Sequence, residues 1–326
     1  MTGRLAALAG AAFLVAGALP ARGIADGLPV LGVDVGSRGV AARVAPVRYV
    51  TLPSGRNTIV ARTGTAGGRV LRHNEIQGTF TIPAVAYDGS ADGLSADGRT
   101  LVLIEPRVAF PRERTTLAVV DARRLRVVHR ITLRGDFSFD AISPQARTLF
   151  LIQYISPQDP TRYHVRAYDL VSDTLSPRLV VDPREHEDTM RGSPLTRATG
   201  PGGRWAYTLY DGAGGTPFVH ALDTRTRQAR CVDLPMLAGL RNLWQVSLSA
   251  GGSRVTVAAP GRTLAFIDTS DFSVATPRST SNRLLLAGET AAAAALACLV
   301  AAAAWFGHRR LRRRQGPVTS DARPVA

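Results

Sequence analysis

The side chains best able to do chemistry fall in two loop-like segments. Residues 182–188 read Asp182-Pro183-Arg184-Glu185-His186-Glu187-Asp188, a mixture of carboxylates and one imidazole that could ligate a divalent ion. Their adjacency lacks the regular ligand spacing of a zinc site. A Ca²⁺ site needs six to eight oxygens, which neighbouring side chains alone do not supply. A solvated connector is therefore expected here, within a long insert at 182–193. A second insert, 153–162, is flanked by Tyr154 and Tyr163, and Tyr207, Tyr210, Asp211 and Trp244 add aromatic and turn residues further on. Loops carried between constant strands commonly form a binding face. The candidate interaction residues are accordingly Tyr154, Tyr163, Glu185, His186, Tyr210 and Asp211.

Signals for catalysis are weak. No G-x-S-x-G nucleophile elbow is present, and Gly32-Val33-Asp34-Val35-Gly36 lacks the spacing and following helix of a dinucleotide loop. No c-type haem motif or cysteine redox pair occurs. His73-Asn74-Glu75 is a short polar cluster without further ligands nearby in sequence. The expectation is no catalytic residue, no metal and no cofactor. The alternative is a hydrolase or lactonase whose ligands come from several repeats.

The elements that would position these loops recur along the chain. Ser95-Ala96-Asp97-Gly98-Arg99-Thr100-Leu101-Val102-Leu103-Ile104 returns as Ser143-Pro144-Gln145-Ala146-Arg147-Thr148-Leu149-Phe150-Leu151-Ile152. Related phrases cover 200–209 and 249–257, and a fainter one covers 53–60. Between Gly55, Gly98, Ala146, Gly203 and Ser253 the steps are 43, 48, 57 and 50 residues. Such periods belong to blades or solenoids. A second half follows each main copy: a β-rich run ending in Asp121, Asp169, Asp223 or Asp268, then a turn and another strand. Segments 135–141, 195–199 and 243–248 leave room for a further strand before each turn. Four strands per repeat is the arithmetic of a propeller.

The repeated polar residues have a mechanical reading. Gly98, Gly203 and Gly252 suit positive φ in tight turns, and the four strand-end aspartates suit turn capping. Recurrence in every copy makes them architectural. Ala146 departs from the pattern, standing where glycine is expected, and Arg204-Trp205 departs again. The fold expected is all-β: a propeller of five to seven four-stranded antiparallel blades, with a β-sandwich as competitor. Strand-like residues 29–35 and 272–276 would help to close the array.

Composition agrees with short strands rather than long helices, since Gly and Pro fill 51 of 326 positions. The net charge of +15 falls to about +9 once Arg4, the six arginines after Gly307 and Asp321 are set aside, and all of the basic charge is arginine. The two cysteines, Cys231 and Cys298, do not form a plausible staple.

Both ends point to a membrane. Residues 291–307 are seventeen uncharged residues, followed by Arg309, Arg310, Arg312, Arg313 and Arg314. At 1.5 Å per residue such a helix reaches about 25 Å, within the spanning range. The arginines hold the C-terminus in the cytoplasm. Residues 1–25 read as a secretory signal, cleaved after Ala18 or Ala21, or retained as a second anchor. The organisation expected is thus 1–25 signal or hydrophobic segment, 26–276 extracytoplasmic domain, 277–290 connector, 291–307 transmembrane helix and 308–326 basic tail. The expected partners are the membrane and a protein or cell-envelope component. Location disfavours nucleic acid.

The repeated Ser-x-Asp-Gly-Arg-Thr-Leu phrase at 95–104, its copies at 143–152, 201–209 and 249–257, and the four strand-end aspartates resemble the motif of the YncE-like and TolB-like (WD40-like) β-propeller superfamily. The exported part resembles uncharacterised actinobacterial membrane-anchored propeller proteins. That resemblance implies a propeller over about 51–276 and implies no particular activity.

Overall fold

The computed structural model describes residues 39–277. Within them the chain folds into five antiparallel sheets taken in sequence order. The first holds β1 (Val40–Ala41), β2 (Val47–Ser54), β3 (Asn57–Gly64) and β4 (Val70–Gln77). The second holds β5 (Thr100–Ile104), β6 (Arg114–Asp121) and β7 (Arg126–Arg134). The third is built from β8 (Phe137–Ile142), β9 (Thr148–Tyr154), β10 (Arg162–Asp169) and β11 (Thr174–Leu179), with the short β12 (Met190–Arg191) added on β10. The fourth comprises β13 (Pro194–Thr199), β14 (Trp205–Tyr210), β15 (Phe218–Asp223) and β16 (Gln228–Asp233). The fifth comprises β17 (Ser247–Ala250), β18 (Arg254–Ala259), β19 (Arg262–Asp268) and β20 (Val274–Ala275).

Side chains alternate across a strand, so a strand apolar at every position must be covered on both faces. β5 shows this: Leu101 and Leu103 enter a core shared with the first sheet, whereas Val102 and Ile104 enter a core shared with the third. β9 repeats the division, with Leu149 and Leu151 on one side and Phe150 and Ile152 on the other. Each fully buried Leu or Phe contributes about 1.5–3 kcal/mol relative to exposure. The fifth sheet differs. Val255, Val257, Ala265 and Ile267 all point into the core shared with the fourth sheet, while the intervening residues are half-buried. Four cores therefore link successive sheets, and among the described residues no core cluster joins the fifth sheet to the first.

The strand-end aspartates cap turns, as their recurrence indicated. Asp121 Oδ1 accepts from the amides of Arg123 and Arg124, Asp169 Oδ1 from Val171 and Ser172, Asp223 Oδ1 from Arg225 and Thr226, and Asp268 Oδ1 from Ser270. Gly98 and Gly203 have φ of 68° and 72°. Ala146, in the equivalent turn, is held at φ 52°.

Several expectations need correction. Gly252 is not at positive φ. The Pro53-to-Val60 phrase turns between the second and third strands of its sheet, whereas the other four copies turn between the first and second, so it is one strand out of frame. Residues 243–245 form a 3-10 turn, and the strand begins only at Ser247. The strand expected at 272–276 is present as Val274–Ala275, paired with β19 in the fifth sheet, and its expected neighbour at 29–35 lies outside the described residues. In the second sheet the expected first strand is broken: Thr81 bridges Ile104 and Leu94 bridges Leu101, and residues 84–91 loop out between them.

Among the described residues no helix is long and apolar enough to cross a membrane. Residues 1–25, the run 291–307, the arginines 309, 310 and 312–314, the tail, and strand-like residues 29–35 lie outside the described residues, as does the connector beyond Pro277.

Candidate functional site

β8, β13 and the loop after β5 meet at a polar cluster that begins with a sequence oddity. In Asp136-Phe137-Ser138-Phe139-Asp140, the alternation of β8 sends phenylalanines to the cores and three polar groups to the opposite face. All three polar residues are buried. Arg107, from the loop after β5, meets Asp136 at 2.7 Å and Ser138 Oγ at 2.9 Å. Arg197, from β13, pairs with Asp140 and donates to Thr208 Oγ1 at 2.6 Å. Burial opposes the charge on Arg197, but Asp140 and Asp92 outweigh it and raise its pKa.

The looped-out segment 84–91 fills the space beside these pairs. Its Tyr87 amide donates to Pro194 O at 2.9 Å and its Asp88 amide to Leu195 O at 3.1 Å, so a piece of the second sheet is hydrogen-bonded to the first strand of the fourth. Asp92, at the end of this segment, stands 3.9 Å from Arg197, and burial raises its carboxyl above the ordinary range.

Three of the candidate tyrosines meet next to this centre. Tyr154 and Tyr163 have ring centroids 6.4 Å apart, and Tyr163 and Tyr210 lie at 5.8 Å. With Asp140, Val85 and Phe139 they line a cavity of about 20 Å³, room for one water. Two buried polar atoms here, Asp140 Oδ2 and Tyr163 Oη, have no hydrogen-bond partner among the described residues. Burial pushes the hydroxyls of both Tyr163 and Tyr210 up, so neither serves as a proton acceptor near neutrality. Beside them, His220 is buried with Nε2 unpartnered, and burial lowers its pKa to about 4.

The two inserts also meet. β12, within the second insert, pairs with the start of β10, and the Gly192 amide donates to Thr161 O at 3.0 Å. Asp211 fastens this junction, its Oδ1 accepting from the amides of Ser193 and Ala213. Exposed Ile155 lies on the first insert. Glu185 and His186 are exposed on the second insert and do not line the tyrosine cavity.

One group of possible metal ligands occurs among the described residues: Asp182, Glu185 and Cys231, with ligand atoms within 4.8 Å of one another. The residues do not fit a cation. Arg184 occupies both carboxylate oxygens of Asp182, at 3.1 and 2.6 Å, and the Cys231 amide adds a bond at 2.8 Å. Burial pushes the Cys231 thiol up to about 12, so it holds its proton. His73, Asn74 and Glu75 sit on β4, where Asn74 donates to Leu125 O and Glu75 accepts from Ser54 and Asn57, a structural use.

No family model and no curated protein matches this chain. Among solved structures it is similar to hydrazine synthase of Kuenenia stuttgartiensis, at 14% identity over 70% of each chain with a TM-score of 0.46. It is also similar to a putative TolB from Agrobacterium tumefaciens, at 14% identity over 70% of this chain and 76% of that one, with a TM-score of 0.41. The β-propeller domain of Cps50 (Swd1) from Myceliophteria thermophila aligns at 11% identity over 73% and 68%, with a TM-score of 0.43.

Sequence reasoning missed the Arg107–Asp136 and Arg197–Asp140 pairs. The signal available was the alternation Asp-Phe-Ser-Phe-Asp, which puts charges on the buried face of a strand that should be apolar.

Proposed function

We propose that this chain is a membrane-tethered, extracytoplasmic binding or scaffolding module, its five sheets arranged as the blades of a propeller. In this reading the partner is a protein or cell-envelope component, bound on the face where residues 155–161 and 180–193 meet. The observation that carries it is the filled polar cluster between β8 and β13. Asp136 and Asp140 are neutralised by Arg107 and Arg197, and residues 84–91 occupy the adjoining space. Carboxylates tied to arginine are not poised as acid and base, and a cavity of about 20 Å³ does not admit an organic substrate. Rigid display remains. Strands with both faces buried hold β9 and β10 in place, and the joined inserts project from their ends. Tethering rests on the sequence: the uncharged run 291–307 and the arginines behind it.

The test is quantitative recovery of partners from detergent-solubilised native membranes with the full chain as bait. A parallel bait has residues 155–161 replaced by a Gly-Ser linker, and both are assayed for metal. A partner recovered in fixed proportion, lost with the loop replacement and retained by a variant in the 66–69 turn, is the expected result. Stoichiometric metal with no loop-dependent partner would overturn the proposal.

A further inference from the structure

Trp205 breaks the repeat pattern, and the display function leaves it unexplained. In the register of the sheets it stands opposite Asp223, the position held by Thr100 opposite Asp121, Thr148 opposite Asp169 and Arg254 opposite Asp268. A half-buried tryptophan thus replaces a small or charged residue in one sheet only. It meets Phe272, edge to face, with ring centroids 5.3 Å apart. Together they line a cleft of about 330 Å³ between the fourth and fifth sheets, with Ala229 and Pro183 also in its lining.

Several polar groups of this cleft keep hydrogen-bonding capacity. Among the described residues, the Trp205 indole N–H and the Gln228 amide have no hydrogen-bond partner. Arg230 lies over the Phe272 ring at 6.0 Å, and among the described residues it forms no ion pair and its buried Nε has no hydrogen-bond partner. Asp271 accepts from the Ser273 amide at 2.8 Å and from the Ser273 hydroxyl, and a carboxylate has lone pairs for further donors. Ser270 is tied to Asp268. The cleft therefore combines an indole donor, a guanidinium, an amide and a carboxylate with an aromatic and aliphatic wall.

We infer that this cleft binds a saccharide. A simple anion would meet the Asp271 carboxylate, and an organic cation would meet Arg230; a polyhydroxylated ring satisfies both, because each hydroxyl donates and accepts. Its C–H face matches Phe272, Pro183 and Ala229, and the cleft volume lies at the lower end of the range for small-ligand sites. The inference goes beyond the display function and does not depend on it, since saccharide binding is read in vitro on the purified chain.

The test titrates the full chain in detergent with N,N′-diacetylchitobiose, maltotriose and sodium sulfate, read by calorimetry and tryptophan fluorescence. Saturable binding of at least one saccharide is expected, unaffected by sulfate. Trp205→Thr, which restores the residue of the second and third sheets, and Gln228→Ala should each weaken it by about tenfold or more. Asp271→Asn keeps the Ser273 contact and serves as a variant that folds. It too should weaken binding, with an unchanged melting temperature. Absence of saccharide binding at millimolar concentration, competition by sulfate, or binding indifferent to Gln228→Ala and Asp271→Asn would each overturn the inference.

Discussion

Arg197 grips Asp140 twice across two sheets: Nη1 donates to the main-chain oxygen at 3.0 Å, while Nη2 meets the carboxylate. Their side chains are 4% and 2% exposed. Removing one partner of such a pair strands the other charge in a dry interior, which costs about 3–5 kcal/mol. Arg197→Met is therefore expected to lower the unfolding free energy by that amount, measured by urea denaturation. Asp140→Leu added to Arg197→Met should restore more than half of the loss, because no orphaned charge remains at position 140. A single variant within about 1 kcal/mol of the parent would show that the pair is not what holds the third and fourth sheets together.

Ala146 occupies the turn position that Gly98 and Gly203 fill, at φ 52°. The left-handed region costs an L-residue about 1–2 kcal/mol, and glycine escapes this at an entropic cost of about 0.5–1 kcal/mol. Ala146→Gly should stabilise the fold by up to about 1 kcal/mol, seen as a raised denaturation midpoint with unchanged m-value. Ser143 still brackets the turn in either variant, its Oγ accepting from the amides of Arg147 and Thr148 at 3.0 Å each. A lower midpoint for the glycine variant would mean that the Ala146 methyl contributes more by packing on the neighbouring core than its backbone strain costs.

His220 makes stability depend on pH in a defined window. Burial holds its folded pKa at about 4 against 6.5 in the unfolded chain. Above 6.5 both states are neutral and no proton linkage operates. As pH falls toward 4 the unfolded state takes up a proton that the folded state refuses, so stability is lost progressively across that interval, by about 3 kcal/mol. The carboxylates Asp182 and Asp223 act below this window. Burial works to raise them, but their arginine and amide bonds hold them under the ordinary value, so their stabilisation is lost only as pH falls below about 3.8. His220→Leu should flatten the profile between pH 6.5 and 4 and leave the acid limb in place. An unchanged slope there would locate the titration elsewhere.

Local pattern and non-local chemistry were unequally legible. Thr-Leu-Val-Leu-Ile and Thr-Leu-Phe-Leu-Ile read as strands, and their burial on both faces follows because each residue needs only its own partition between two cores. The strand-end aspartates were legible for a similar reason, since each bonds amides two or three residues ahead. Residues 84–91 were not, because Pro83, Asp88 and Gly89 mark a loop and nothing local says that it turns into the centre. Arg197 and Asp140 are 57 residues apart, and no short-range periodicity couples them. The candidate tyrosines were found as loop-flanking aromatics, yet their convergence with His220 came only from the packing of the third sheet on the fourth.

A second recurrence escaped notice and yields the sharpest stability test. Gly78-Thr79-Phe80 and Gly135-Asp136-Phe137 stand 57 residues apart, as do Thr58 and Thr115. In each case the buried threonine Oγ1 donates to the glycine carbonyl and accepts from the phenylalanine amide, at 2.8 Å for both bonds of Thr58 and 2.9 Å for both bonds of Thr115. The hydroxyl, carried on the strand next to the last of its sheet, thus latches the connector that leads to the following sheet. Six residues before Asp169, the strand-end aspartate of the third sheet, the threonine is replaced by Tyr163, and the connector there lengthens to 180–193. Thr115→Val preserves shape and removes the hydroxyl, leaving the buried Phe137 amide without an acceptor, which costs about 1–3 kcal/mol. Thr115→Ser keeps the hydroxyl and should lose markedly less. Measured by chemical denaturation, equal losses for valine and serine would mean that the latch is packing rather than hydrogen bonding. A larger loss for valine, repeated at Thr58, would fix the latch as the device that sets the spacing between the first three sheets.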